Sequence, residues 1–275
     1  MIVGVFSKDD IRTELPLNLL ESLRKAAEHD PFLAKRTNGK KKNHHDGWGY
    51  VLITSSSIYE YKSLDPIYTD YKGYKQLINI LEHLREKSSS TALLIHARLA
   101  SPGYSKVIND THPFHFYTND NYDAWLIMNG TLTGFFTKYQ DGRSDTYGLI
   151  KYISGKKFWE IPKEILTIII NNPNIVKLGI AIGVLGVKPS CNNKFIEGYF
   201  IYYRRDYKEK TDEYYDYYRL TTDKSIVFMS STARYYLDEK SLPASTRIEK
   251  LAVPSLITFS IDVFNDIIQI DVGTP

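Results

Sequence analysis

Residues 92–101 read Ala-Leu-Leu-Ile-His-Ala-Arg-Leu-Ala-Ser, and the prediction of the fold begins at this segment. Its first part, Ala92–Ala97, is short and mostly apolar, which is typical of a buried strand. Arg98 follows directly, so its guanidinium is expected to emerge where that strand ends. The planar fork of arginine suits bidentate binding of a carboxylate, and a structural salt bridge is the competing interpretation.

Further strands are predicted at both ends of the chain, with helices between them. The chain opens with an apolar strand at Ile2–Phe6, and apolar residues at helical spacing predict helices after Pro16 and around Tyr74–Glu86. Another helix is expected to begin at Pro162, and the last hundred residues are predicted to be mostly β. No long Gly, Ser or Pro linker divides these elements. The pattern predicts one α+β domain over residues 1–275.

Composition and charge narrow the classes of function. The chain has 275 residues, a net charge of +3 and 24% charged residues, as an ordinary soluble protein has. The one basic cluster, Lys40–Lys42, is interpreted as a solvated loop, so no nucleic-acid partner is expected. The longest apolar stretch, Ile175–Val187, is shorter than the roughly 20 residues that span a bilayer, so no membrane partner is expected. A single cysteine, Cys191, and the lack of a signal peptide predict a cytoplasmic location.

Four clusters of polar residues are candidates for carrying chemistry. They are residues 44–50 (HHDGWGY), 96–101 (HARLAS) with 111–114 (THPF), 128–132 (MNGTL) and 144–146 (SDT). In the third cluster, the Asn129 amide and the backbone N–H of Gly130 are able to aim two donors at one oxygen, as an oxyanion hole does. Asn-Gly is also the strongest short signal for a hairpin turn, so a turn is the competing interpretation.

Asp145 is predicted to lie at the start of a helix, with Ser144 as its N-cap. A carboxylate there is able to bind the ammonium group of a ligand. It also interacts favourably with the positive end of the helix dipole without any ligand. The sequence leaves both interpretations of Asp145 open.

The histidines of the chain raise the question of a metal site. Such sites usually combine tighter sets of histidine with cysteine or carboxylate ligands at fixed spacing. The chain has no such set, so no metal and no other cofactor is expected. Instead, the first two histidines are expected to form hydrogen bonds in a loop. The histidines considered are His44, His45, His112 and His115.

The order and spacing of the four clusters closely resemble those of class II glutamine amidotransferases, in particular the small stand-alone members of that family. The resemblance extends to residues 226–231 and 251–260 and is weakest over residues 158–193. It implies an N-terminal-nucleophile (Ntn) hydrolase fold, a four-layer αββα sandwich. It also implies glutamine or a related small amide as the ligand, with a separate synthase subunit as a candidate protein partner.

The resemblance implies a role for five residues by their position in the motifs. Arg98 would hold the α-carboxylate of the substrate, and Asp145 would hold its α-amino group. Asn129 and Gly130 would form the oxyanion hole, and His112 would shape the wall of the pocket.

The chain departs from the family at its first residues. The family attacks glutamine with an N-terminal cysteine, and the best overlay places Val3 or Ile2 at that position. The sequence therefore predicts a catalytically silent protein that retains the glutamine pocket, with Met1 nearby. Two alternatives stay open. One is an active amidohydrolase that uses Ser7, Cys191 or a water activated by the Met1 amine, and the other is a structural or interaction protein.

A second departure lies in the third cluster. The family commonly has histidine before Asn-Gly, and this chain has Met128.

Overall fold

The computed structural model describes residues 1–87, 89–101, 103, 106–134, 143–189, 195–205, 213–263 and 265–273. Its strands, in chain order, are β1 (Ile2–Phe6), β2 (Trp48–Thr54), β3 (Ile58–Ser63), β4 (Thr91–Ala97), β5 (Phe114–Tyr117), β6 (Asp123–Leu132), β7 (Val176–Val187), β8 (Phe195–Arg204), β9 (Tyr217–Thr221), β10 (Ile226–Ser230), β11 (Arg247–Lys250), β12 (Ser255–Asp262) and β13 (Ile267–Gly273). The helices are α1 (Lys8–Ile11), α2 (Leu15–Glu28), α3 (Pro31–Arg36), α4 (Tyr71–Lys87), α5 (Asp145–Ile153), α6 (Ile161–Asn171) and α7 (Ser231–Tyr235).

The strands form two antiparallel sheets. The first has the order β11-β9-β10-β1-β4-β2-β3, and the second has the order β13-β12-β8-β7-β6-β5. Within the first sheet, β1 pairs with both β4 and β10, so the opening strand that the sequence predicts is an interior strand. The arrangement confirms the predicted α+β class.

The alternation of side chains along β1 explains how the sheets and helices pack. Val3 and Val5 belong to a buried apolar cluster that also contains Ile127 and Phe200 of the second sheet, so this cluster lies between the sheets. Ile2 points the other way, into a cluster formed with the apolar stripes of α2 and α4. A third cluster joins the second sheet to α5 and α6. Helices therefore cover the outer face of each sheet.

The apolar stretch that ends at Val187 forms β7, a buried strand of the second sheet, as its interpretation as a core element predicts. It pairs with β6 and β8 along most of its length. Over the part of the chain that the structure describes, no helix is both long enough and apolar enough to cross a membrane.

Candidate functional site

One cavity is lined by side chains from several separate segments of the chain. Its lining includes all five residues to which the family resemblance assigns a role: Arg98, His112, Asn129, Gly130 and Asp145. They come from the end of β4, the segment before β5, the last part of β6 and the first turn of α5. The fold thus brings together residues that the sequence connects only through the order of its motifs.

Arg98 directly follows the last residue of β4, and backbone hydrogen bonds fix its position. Its N–H donates to the carbonyl of Gly47 at 2.8 Å, and its carbonyl accepts from the N–H of Asp46 at 3.0 Å. The side chain is buried, and burial lowers the pKa of the guanidinium, while the charges of Asp110, Asp46 and Asp145 act in the opposite direction. The site therefore holds a buried cation among carboxylates, which is a suitable receptor for an anionic group.

Asn129 and Gly130 lie inside β6, so the interpretation of Asn-Gly as a hairpin turn is wrong. Gly130 pairs with Ile180 of β7, and the register shifts directly after it, which marks a β-bulge. The backbone of Gly130 has φ +122°, a conformation that L side chains rarely adopt. The Asn129 amide donates to the hydroxyl of Tyr217 at 2.7 Å, which fixes its orientation at the cavity wall.

Asp145 has a structural role at the start of a helix, and it also lines the first cavity. It begins α5 after the N-cap Ser144, as predicted, and its carboxylate accepts from the N–H groups of Leu132 at 2.8 Å and Thr146 at 3.1 Å. These bonds join the end of β6 to α5. Burial nevertheless raises the pKa of this carboxyl to about 6. A buried carboxylate that lines a cavity is stabilised by a cationic ligand.

A pair of buried histidines forms part of the same wall. The rings of His96 and His112 lie 4.3 Å apart, and Nε2 of His112 is 3.2 Å from the hydroxyl of Thr146. Burial, as the largest cause, lowers the pKa of both rings well below the ordinary value. Among the described residues, neither Nδ1 atom has a hydrogen-bond partner. Sequence reasoning included His96 in a candidate cluster but assigned it no role, because a histidine inside a buried strand carries no local signal of ligand contact.

A second cavity adjoins the first. The two cavities share five lining residues: His44, His96, Ala97, Asn129 and Tyr214.

The second cavity also contains polar groups that sequence reasoning missed. Asp30, Ser230 and Thr232 line it together with His44. Nε2 of His44 is 2.9 Å from Oδ2 of Asp30, and Oδ1 of Asp30 accepts from the N–H of Leu33 at 2.9 Å. Asp30 is thereby the N-cap of α3, and the Asp-Pro dipeptide at residues 30–31 was the available signal for that cap.

Met1, rather than Ile2 or Val3, is the residue of the opening segment that lines this second cavity. The side chain of Val3 packs between the sheets, where a Cβ added to Gly183 would lie 2.3 Å from Val3 Cγ2. Ile2 faces the helices on the other side of the sheet. Burial lowers the pKa of the Met1 α-amino group to about 5, while Asp30 acts in the opposite direction.

Of the alternative nucleophiles, Ser7 lies away from both cavities. Ser7 is the N-cap of α1, where its hydroxyl donates to Asp10 at 3.1 Å and accepts from the Asp10 N–H at 3.1 Å. Cys191 lies outside the described residues.

The two loop histidines form the hydrogen bonds that the sequence predicts. His44 bonds to Asp30, and Nδ1 of His45 is 3.0 Å from the side-chain oxygen of Asn43. Within the described residues, no three His, Cys, Asp or Glu side chains are grouped as metal ligands would be.

The chain was compared with family models and with curated proteins. No family model matches the chain, and no curated protein matches it either. The family resemblance therefore stays a prediction, supported by the order of the motifs and by the cavity in which they meet.

Proposed function

We propose that the chain is a class II glutamine amidotransferase-like protein that binds glutamine or a related small amide and does not hydrolyse it. The observation that carries this proposal is the meeting of the five motif residues in one cavity. Two packed sheets with helices on their outer faces are compatible with the Ntn-hydrolase-like αββα sandwich that the proposal includes. A separate synthase subunit and a cytoplasmic location belong to the same proposal.

The chemistry of the lining suits a free amino acid. The guanidinium of Arg98 would bind the α-carboxylate, and the carboxylate of Asp145 would bind the α-ammonium. The side-chain amide would then extend towards Asn129 and the backbone of Gly130. Hydrogen bonds that involve charged groups contribute about 1.5–3 kcal/mol each, so two opposed contacts would orient a small ligand.

The proposed lack of hydrolysis follows from the lining of both cavities. None of the described residues that line them is a cysteine. In a serine protease, loss of the nucleophile costs about 10⁶ in rate, although binding and the oxyanion hole survive. A pocket of this kind is therefore expected to keep affinity while losing turnover.

The first prediction is that the purified protein releases no ammonia from glutamine above the buffer background. The reason is that no described residue of the cavity lining offers a thiol to attack the amide. A coupled ammonia assay measures the rate, with Asn129→Ala as the matched variant. Steady release that Asn129→Ala and His44→Asn both abolish would contradict the prediction and would indicate an active amidohydrolase with the Asp30–His44 pair as its base.

The second prediction concerns pH. Because the pKa of Asp145 is raised to about 6, its carboxylate is mostly ionised at pH 7 and mostly protonated at pH 5. The ligand's own carboxylate and ammonium keep their charges over this interval. Glutamine binding is therefore expected to weaken about tenfold from pH 7 to pH 5.

Calorimetric titrations at both pH values measure this change. Asp145→Asn, which cannot ionise, is the control and should bind weakly with little difference between the two pH values. Equal affinity of the wild type at pH 5 and pH 7 would show that Asp145 does not hold the ammonium.

A further inference from the structure

The second cavity continues from the point at which the amide of a bound glutamine would lie. Arg98 and Asp145 line only the first cavity, whereas Ser230 and Thr232 line only the second. Asn129 lines both. An amino acid held by Arg98 and Asp145 with its side chain directed to Asn129 would therefore have open space beyond its amide nitrogen.

The wall of this space consists largely of hydrogen-bond acceptors and hydroxyls. Because Nε2 of His44 faces the carboxylate of Asp30 at 2.9 Å, that nitrogen carries the proton. In the neutral ring, Nδ1 of His44 is then an acceptor. Ser230 precedes α7 in the N-cap position, yet its side chain makes no cap hydrogen bond, so its hydroxyl is not engaged in that role.

We infer that the ligand of this site is a γ-glutamyl amide whose nitrogen carries a short substituent ending in a hydroxyl group. Its α-amino-acid end occupies the first cavity, and its substituent occupies the second, beside His44, Ser230 and Thr232. This inference rests on the proposed function and names the substrate class of the same pocket.

A neutral hydroxyl suits the second cavity better than an ammonium. Asp30, the carboxylate among the described residues that line this cavity, already accepts from the N–H of Leu33 at 2.9 Å and faces Nε2 of His44 at 2.9 Å, so it is engaged before any ligand cation arrives. Burial, as the largest cause, also lowers the pKa of His96, which lines both cavities. A hydroxyl donates to the acceptors of the wall without the cost of burying a charge. An apolar substituent of equal size would leave the same polar groups buried without partners.

The test compares three ligands by calorimetry with the full chain: L-glutamine, γ-L-glutamyl-ethanolamide and γ-L-glutamyl-propylamide. The last two differ only in a terminal hydroxyl or methyl group. The ethanolamide is expected to bind about tenfold more tightly than glutamine and about tenfold more tightly than the propylamide. Equal binding of the two amides, or tighter binding of the propylamide, would overturn the inference.

A double variant, Ser230→Ala with Thr232→Val, tests whether the preference for the ethanolamide arises in the second cavity. It should abolish the difference between the two amides and leave the affinity for glutamine unchanged, because neither residue lines the first cavity. Thermal unfolding checks that the variant is folded, and Ser230→Ala alone replaces it if it is not. An undiminished preference for the ethanolamide in the variant would overturn the assignment of the second cavity.

Failure of this inference and failure of the proposed function give different results. If glutamine binds and both amides are excluded, the second cavity is not part of the ligand site, while the proposed function stands. If none of the three ligands binds, both proposals fall.

Discussion

Replacement of Arg98 by methionine is expected to weaken glutamine binding about a hundredfold. The variant keeps most of the apolar length of the side chain but removes the charged fork that would hold the α-carboxylate. Truncating one partner of a buried, hydrogen-bonded charge pair typically costs about 2–5 kcal/mol. The loss should be compounded by Asp145, because the charge of Arg98 lowers the pKa of that carboxyl and its removal would favour the protonated form.

Calorimetry with glutamine on the wild type and on two matched variants checks this prediction. Arg98→Lys keeps the charge without the fork and is expected to show an intermediate loss. Arg85→Met is the control, because Arg85 is a half-exposed residue of α4 that pairs with Glu14 and lines neither cavity. Equal affinity in the wild type and Arg98→Met would reject the retained pocket and favour a structural or interaction protein.

The sequence predicted the helices well where apolar residues recur at helical spacing. The helix expected after Pro16 is α2, and the one expected around Tyr74–Glu86 is α4. This second helix begins three residues earlier than predicted. Asp70 accepts from the N–H of Gly73 at 3.0 Å and so binds a donor of the first turn, which periodicity alone does not show.

Strands β3 and β5 were missed because they lack a strong local pattern. Strand β3 has no fully buried residue, and β5 has only four residues. Each lies at the edge of its sheet and pairs with one neighbour, β2 or β6. Their place follows from tertiary pairing, which one-dimensional periodicity detects poorly for short strands.

The residues of the candidate site also divide into those with a local sequence signal and those whose place depends on tertiary packing. Arg98 and Asp145 could be placed from sequence because one follows a strand and the other begins a helix. Ser230 and Thr232 had no such signal, because their place beside Asp30 and His44 in the second cavity depends on how the sheet packs against the helices. Asn129 was ambiguous for a different reason: β7 pairs across the Asn-Gly dipeptide and keeps it in a strand instead of a turn.

Substitution of Gly130 by alanine is expected to lower the free energy of unfolding by about 3–5 kcal/mol. Two costs add at this position. The backbone φ of +122° is strained for any L side chain, and a Cβ there would lie 2.3 Å from the carbonyl oxygen of Gly179. That atom belongs to the backbone of β7, so it cannot move away as a flexible side chain would.

Gly155→Ala separates the two costs. Gly155 also has a positive φ, +85°, but its added Cβ would meet only Asn119 Oδ1 at 3.7 Å, an ordinary contact. This control should lose about 1–2 kcal/mol, the cost of the left-handed conformation alone. Denaturant unfolding of the wild type and both variants measures the loss of unfolding free energy in each variant. Similar losses in the two variants would show that the backbone of β7 shifts to accommodate the added Cβ.

The clash at Gly130 also links stability to ligand binding. Relief of the contact with Gly179 requires β6 to move away from β7 at the bulge, and this movement would displace the backbone N–H of Gly130 from the cavity wall. Gly130→Ala should therefore bind glutamine more weakly even under conditions in which it is fully folded, whereas Gly155→Ala, which lines neither cavity, should bind like the wild type. Normal glutamine affinity in folded Gly130→Ala would exclude the Gly130 N–H from the oxyanion-hole position, because the strand that carries it would have shifted without consequence for the ligand.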